Sequence, residues 1–141
     1  MNWKPIKSVD YLVVHCSATR PSQEVTAEDI ELWHRRRGWA GIGYHYVIER
    51  DGVLKQGRPD DRPGAHARGF NHLSLGFCLV GGLAEDGKTP QNNFTLEQFD
   101  TLRNILEYYK THHPEAEVLG HRDLGANKAC PCFDVREWWA R

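Results

Sequence analysis

Tyr11-Leu12-Val13-Val14-His15 is the stretch on which the fold turns. Four apolar residues, two of them β-branched, run without alternation, and this suits a strand covered on both faces, as in the sheets of α/β domains. The run stops at a histidine and gives way to a polar loop over 17–24. Thr26 then offers an N-cap, Glu28 and Asp29 fall in the first turn of a helix, and Ile30, Trp33 and Arg37 follow at helical spacing before Gly38 ends it. A strand leading into a helix is the repeating unit of a layered α/β fold.

The remaining chain continues the alternation. Tyr44 to Glu49 and Val53 to Gln56 flank Arg50-Asp51-Gly52, a short-range hairpin signal. Leu75 to Val80 reads as a buried strand closed by Gly81-Gly82, and the stretch 58–72, rich in Pro, Gly and charge, reads as a long loop of the kind that often carries function. Thr95-Leu96-Glu97-Gln98 is a capping box, and Leu96, Phe99, Leu102, Leu106 and Tyr109 repeat at helical spacing behind it. Val118-Leu119 predicts a last short strand, and Asp134 caps a C-terminal helix that carries Trp138 and Trp139. Both tryptophans, and the pair Tyr108-Tyr109, are read as packing residues rather than as sugar platforms. No repeat, low-complexity tract or Pro/Ser linker divides the chain. The expectation is one α/β domain over 1–141, with a central mixed β-sheet flanked by helices.

Composition narrows the function. A chain of 141 residues buries enough surface to fold without a disulfide or metal staple, so any metal is expected to serve chemistry. With 18 Lys+Arg against 19 Asp+Glu the net charge is -1, which offers no field for nucleic acid or anionic lipid. Arg35-Arg36-Arg37 is explained as cations at a helix C-terminus, with Glu31 placed to pair with Arg35. The apolar run near the start is too short for a signal peptide or a membrane span, so synthesis in a cytoplasm is expected. The four cysteines then read as thiols or ligands rather than a disulfide framework.

The chemistry gathers at strand ends. His15 closes the first strand and His121 follows the last, positions where α/β folds collect reactive groups, although each histidine alone is as well explained by a structural hydrogen bond. In Lys128-Ala129-Cys130-Pro131, proline disfavours the α region at Cys130. Extended chain there would turn Lys128 and Cys130 to one side, where an ammonium favours the thiolate. Two imidazoles and a thiolate form a set that zinc accepts with one position left open. Cys132 stands as a possible fourth ligand or as a small buried hydrophobe, and Cys16 and Cys78 read as core.

His15-Cys16-Ser17-Ala18-Thr19, Gly43-Tyr44-His45-Tyr46, Gly64-Ala65-His66-Ala67, Gly76-Phe77-Cys78-Leu79-Val80-Gly81-Gly82 and Lys128-Ala129-Cys130-Pro131, in that order, resemble the zinc-dependent N-acetylmuramoyl-L-alanine amidases. The likeness is strongest to phage endolysins of the T-odd coliphage lysozyme kind, with peptidoglycan recognition proteins as distant relatives, and it runs from about Tyr11 to Trp139. The resemblance implies Zn2+ in a surface cleft held by His15, His121 and Cys130, with Tyr44 and Lys128 as catalytic residues. It implies hydrolysis of the amide between N-acetylmuramic acid and L-alanine in peptidoglycan by a zinc-activated water. Tyr44 would orient or deprotonate that water, and Lys128 would face the oxyanion. His66, Arg68 and Asn71 are expected along the substrate groove, Arg68 meeting stem-peptide carboxylates.

Two departures stand out: the segment from His121 to Lys128 carries one residue more than in the coliphage relatives, and the N-terminus is shorter. The second bears on phage RNA polymerase, a partner those relatives inhibit partly through N-terminal residues; that partner attaches to this chain by analogy only. A monomer that acts on the periplasmic wall after holin-mediated release is expected, with no nucleic-acid or membrane partner. A cytosolic muropeptide-recycling amidase and a non-catalytic peptidoglycan binder are the competing readings.

Overall fold

The chain was analysed as a computed structural model that describes residues 4–126 and 129–141. Among these residues, five strands form one mixed sheet: β1 (Tyr11–Cys16), β2 (Tyr46–Ile48), β3 (Leu54–Gln56), β4 (Ser74–Leu79) and β5 (Glu117–Gly120). They lie in the order β3-β2-β4-β1-β5. β1 runs parallel to both β4 and β5, β2 runs parallel to β4, and only the β2–β3 hairpin is antiparallel. Parallel strands need crossovers, and here α1 (Ala27–Arg36) and α2 (Leu96–His112) sit within them, with α3 (Val135–Ala140) closing the chain.

The strand period of two divides the core. Leu12 and Val14 of β1, with Leu75, Phe77 and Leu79 of β4, face Leu102, Leu106 and Tyr109 of α2 and Val135 of α3. Val47 and Cys78 face the other way, onto Ile30 of α1 with Val25 and Ile42. Each fully buried leucine contributes roughly 1.5–3 kcal/mol.

Both long helices start at the predicted N-caps, and a capping box forms at Thr26 as well as at Thr95. The Thr26 hydroxyl accepts from the Asp29 N–H at 3.3 Å, and the Asp29 carboxylate accepts from the Thr26 N–H at 2.9 Å. The predicted apolar face of α2 needs one correction. Leu96 is 78% exposed, and Gln98 is fully buried in its stead. Its carbonyl accepts the Thr95 N–H at 2.9 Å, and its amide donates to the carbonyls of Ile48 and Val80, each at 3.0 Å. Gln98 thereby ties the start of α2 to the ends of two strands, a role that hydrophobic periodicity does not reveal. Tyr108 is likewise exposed, against the packing role expected of it, while Tyr109 is buried. Arg35 pairs with Glu31 at 3.6 Å, as the helix-terminus reading expects. Among the described residues no helix is long and apolar enough to cross a membrane.

Candidate metal centre

The site is built where the parallel strands end. β1 delivers His15, 1% exposed, and β5 runs out at Gly120 into a short 3-10 turn, His121–Leu124, whose first residue is His121. Asp123 closes that turn by accepting the Gly120 N–H at 2.9 Å, and Arg136 of α3 reaches both Asp123 and Glu117. Cys130 arrives from a turn, not from extended chain: the Cys132 N–H donates back to the Ala129 carbonyl at 2.6 Å across a cis Cys130–Pro131 peptide. The Arg122 N–H donates to the Cys130 carbonyl at 3.0 Å, joining the two loops. Gly120 is required here, because a Cβ would lie 2.8 Å from Pro131 Cδ.

One ligand atom each from His15, His121 and Cys130 lies within 4.8 Å of the others. His15 Nδ1 is 4.0 Å from Cys130 Sγ, the rings of His15 and His121 are 4.5 Å apart, and the Cys16 N–H donates to Cys130 Sγ at 3.2 Å. Two imidazoles and one thiol in this spacing form a donor set that would suit a zinc ion. Cys132 stands outside the cluster: its thiol donates to the Gly82 carbonyl at 3.2 Å and lies 4.0 Å from Cys16 Sγ. The Cys16 thiol is held up to about 12, first by its contact with Cys130 and then by burial.

Above the three residues opens a cavity of about 250 Å³ walled by Trp33, Arg37, Trp39 and Tyr44. It continues past His66 into a more open groove lined by Ala67, Arg68 and Asn71. Tyr44 packs its ring 5.1 Å from that of His15. Burial, then the neighbouring Cys78 thiol, hold its phenol well above the usual range, so it stays protonated. His34, absent from the sequence reading, supports the same wall. Its Nδ1 accepts the Gly43 N–H at 2.9 Å, and burial with Arg37 and Arg58 nearby lowers its pKa to about 4.

The expected groove residues part company. Arg68 is exposed and lines the groove. Asn71 uses its side-chain carbonyl to accept the N–H groups of His66 and Ala67, at 3.0 and 2.9 Å, and so shapes the loop. His66 lines both the cleft and the groove, yet it is only 9% exposed, and its ring nitrogens lie against His15 and Ser74. Burial, then the cationic fields of His45, His121 and Arg58, keep His66 neutral. Lys128 lies outside the described residues.

Comparison with known proteins identifies the family. A family profile described as N-acetylmuramoyl-L-alanine amidase matches residues 5–133. The endolysin of Escherichia phage T7 is 43% identical over 141 residues, spanning 100% of this chain and 92% of its own length. The endolysin of Klebsiella phage KP32 is 42% identical over 130 residues, 92% of this chain and 85% of that protein. Among solved structures, the endolysin amidase LysCS from Clostridium intestinale URNW superposes with a TM-score of 0.76 at 26% identity, covering 93% of this chain and 84% of that one. Drosophila PGRP-LB gives a TM-score of 0.71, also at 26% identity, over 93% and 78% of the two chains. The chain therefore belongs to the N-acetylmuramoyl-L-alanine amidase family.

Proposed function

We propose that this chain is a zinc hydrolase of the phage endolysin kind, cleaving the amide between N-acetylmuramic acid and L-alanine in peptidoglycan. The observation that carries the reading is the convergence of His15, His121 and Cys130 within 4.8 Å at the floor of an open cleft. Bound by that set, zinc would keep a formal charge of +1 and supply Lewis acidity, enough to bring the pKa of water toward about 7 and to polarise an amide carbonyl.

The protein's own groups do the rest. Tyr44, held as a neutral phenol in the metal-free chain, orients the attacking water or the carbonyl by donating a hydrogen bond. Lys128 supplies a cation to the oxyanion that develops as the carbonyl is attacked. Trp33 and Trp39 line one wall of the cleft and offer apolar surface to the substrate. Arg68, at the open end, meets stem-peptide carboxylates. The enzyme reaches its wall substrate after holin-mediated release and works as a monomer.

Mass spectrometry of digested peptidoglycan tests the reading: stem peptides freed with an N-terminal alanine and uncut glycan chains whose muramic acids carry free lactyl carboxylates are expected. Cys130→Ser and His15→Ala are expected to abolish this release, and a chelator to suppress it until zinc is returned. Full hydrolysis by a zinc-free preparation would overturn the metal assignment. Activity on soluble anhydro-muropeptides but not on permeabilised cells would favour a recycling enzyme instead.

A further inference from the structure

We propose that His66 and Ser74 are positioning residues for the metal centre, forming a one-way hydrogen-bond chain that fixes which nitrogen of His15 carries the proton. The inference rests on the metal reading above for its purpose, but not for its geometry. Four groups stand in line. His15 Nε2 is 2.8 Å from His66 Nδ1, His66 Nε2 is 3.3 Å from Ser74 Oγ, and Ser74 Oγ is 2.8 Å from the Phe70 carbonyl.

The direction follows from the far end. A carbonyl only accepts, so an oxygen 2.8 Å from it must bring the proton, and the Ser74 hydroxyl has a single one. With that proton committed to Phe70, Ser74 Oγ accepts, and His66 Nε2–H is the donor. A neutral imidazole carries one N–H, so His66 Nδ1 is an acceptor. The 2.8 Å contact between the two rings then requires His15 Nε2–H to donate. What remains on His15 is the lone pair of Nδ1, and Nδ1 is the atom 4.0 Å from Cys130 Sγ. A backbone carbonyl three links away thus sets the tautomer that a metal ion needs.

The fold protects the arrangement. Ser74 is fully buried at the first position of β4. Two residues on along the same face, Gly76 leaves room for the His66 ring, since a Cβ there would lie 2.7 Å from both Cγ and Nδ1 of that ring. Asn71 holds the His66 backbone from the other side. A histidine in the groove for substrate would need none of these constraints.

Two measurements test the proposal. In the ¹⁵N-labelled, metal-free chain, two-bond proton–nitrogen spectra of the imidazoles are expected to show His15 protonated on Nε2 and bare on Nδ1; the opposite pattern would overturn the proposal without any variant. Zinc affinity, read by competition with a chromogenic chelator, is expected to fall about 10–100-fold in His66→Leu. His66→Asn, whose side-chain oxygen can occupy the place of Nδ1, is expected to recover most of it. Zinc held as tightly by His66→Leu as by the unaltered chain would overturn the proposal, and so would an Asn variant as weak as the Leu one, because the loss would then come from packing. An unaltered chain that takes up no zinc but shows the Nε2–H form would defeat the metal reading and leave the hydrogen-bond chain standing.

Discussion

Acid should weaken this fold by an amount that one histidine makes measurable. His34 is 6% exposed and accepts the Gly43 N–H through Nδ1, which only the neutral ring can do. Its pKa is about 4 in the folded chain against 6.5 for the free side chain. Because the folded value is depressed, the unfolded chain takes up the proton first as pH falls. The stabilisation is complete above 6.5, drains away between 6.5 and about 4, and levels off below that. At about 1.4 kcal/mol per pH unit, the His34 share of the loss between pH 7 and pH 5 is about 2 kcal/mol. His34→Asn keeps an acceptor for Gly43 but cannot titrate, so urea denaturation at pH 7, 6 and 5 should show the variant losing about 2 kcal/mol less than the parent over that range. His45 and His66, also lowered by burial, leave a residual acid slope in both proteins. Identical slopes in parent and variant would refute the assignment of His34 as a buried neutral acceptor.

Three further outcomes are expected. Gln98→Leu removes the donor to the buried Val80 carbonyl and half of a capping box, and should cost about 2–4 kcal/mol in urea denaturation at neutral pH with an unchanged m-value. Tyr44→Phe should lower kcat about 100-fold with KM nearly constant and leave the pH–rate profile in place, since the phenol acts as a donor and does not titrate in range; a lost limb of that profile would make it a base. Lys128→Ala should lower kcat more than KM in steady-state assays, whereas a change confined to KM would make the lysine a binding residue.

The two-residue and 3.6-residue periods explain why most of the fold was legible. Tyr11 to His15 reads as a buried strand because both of its faces are apolar, and Thr26 and Thr95 announce their helices through side chains that the local backbone itself needs. His15 and His121 stand out for a related reason, since they fall where apolar runs stop, but their reading as ligands with Cys130 comes from the family resemblance. What local pattern could not carry was anything decided across the sheet. Gln98 looked like a surface residue of a capping box until β2 and β4 brought their carbonyls to it. His34 drew no reading from its local pattern, because its role is set only where the chain at Gly43 folds back on it. The resemblance puts His66 along the groove; nothing local shows that Gly76, ten residues on, leaves the space that its ring fills. Leu96 misled in the opposite sense: helical spacing alone does not say where the sheet ends and solvent begins.

β1 lies inside the sheet between two strands drawn from residues 74–79 and 117–120, and the sulfur that completes the cluster comes later still. A nascent polypeptide consequently passes most of its synthesis before His121 and Cys130 join His15, and any fragment released before residue 130 lacks the complete donor set. Premature termination, internal ribosome stalling or proteolytic trimming of the last dozen positions should therefore yield inert products rather than weakened ones, so the lytic capability arrives all at once with the finished molecule.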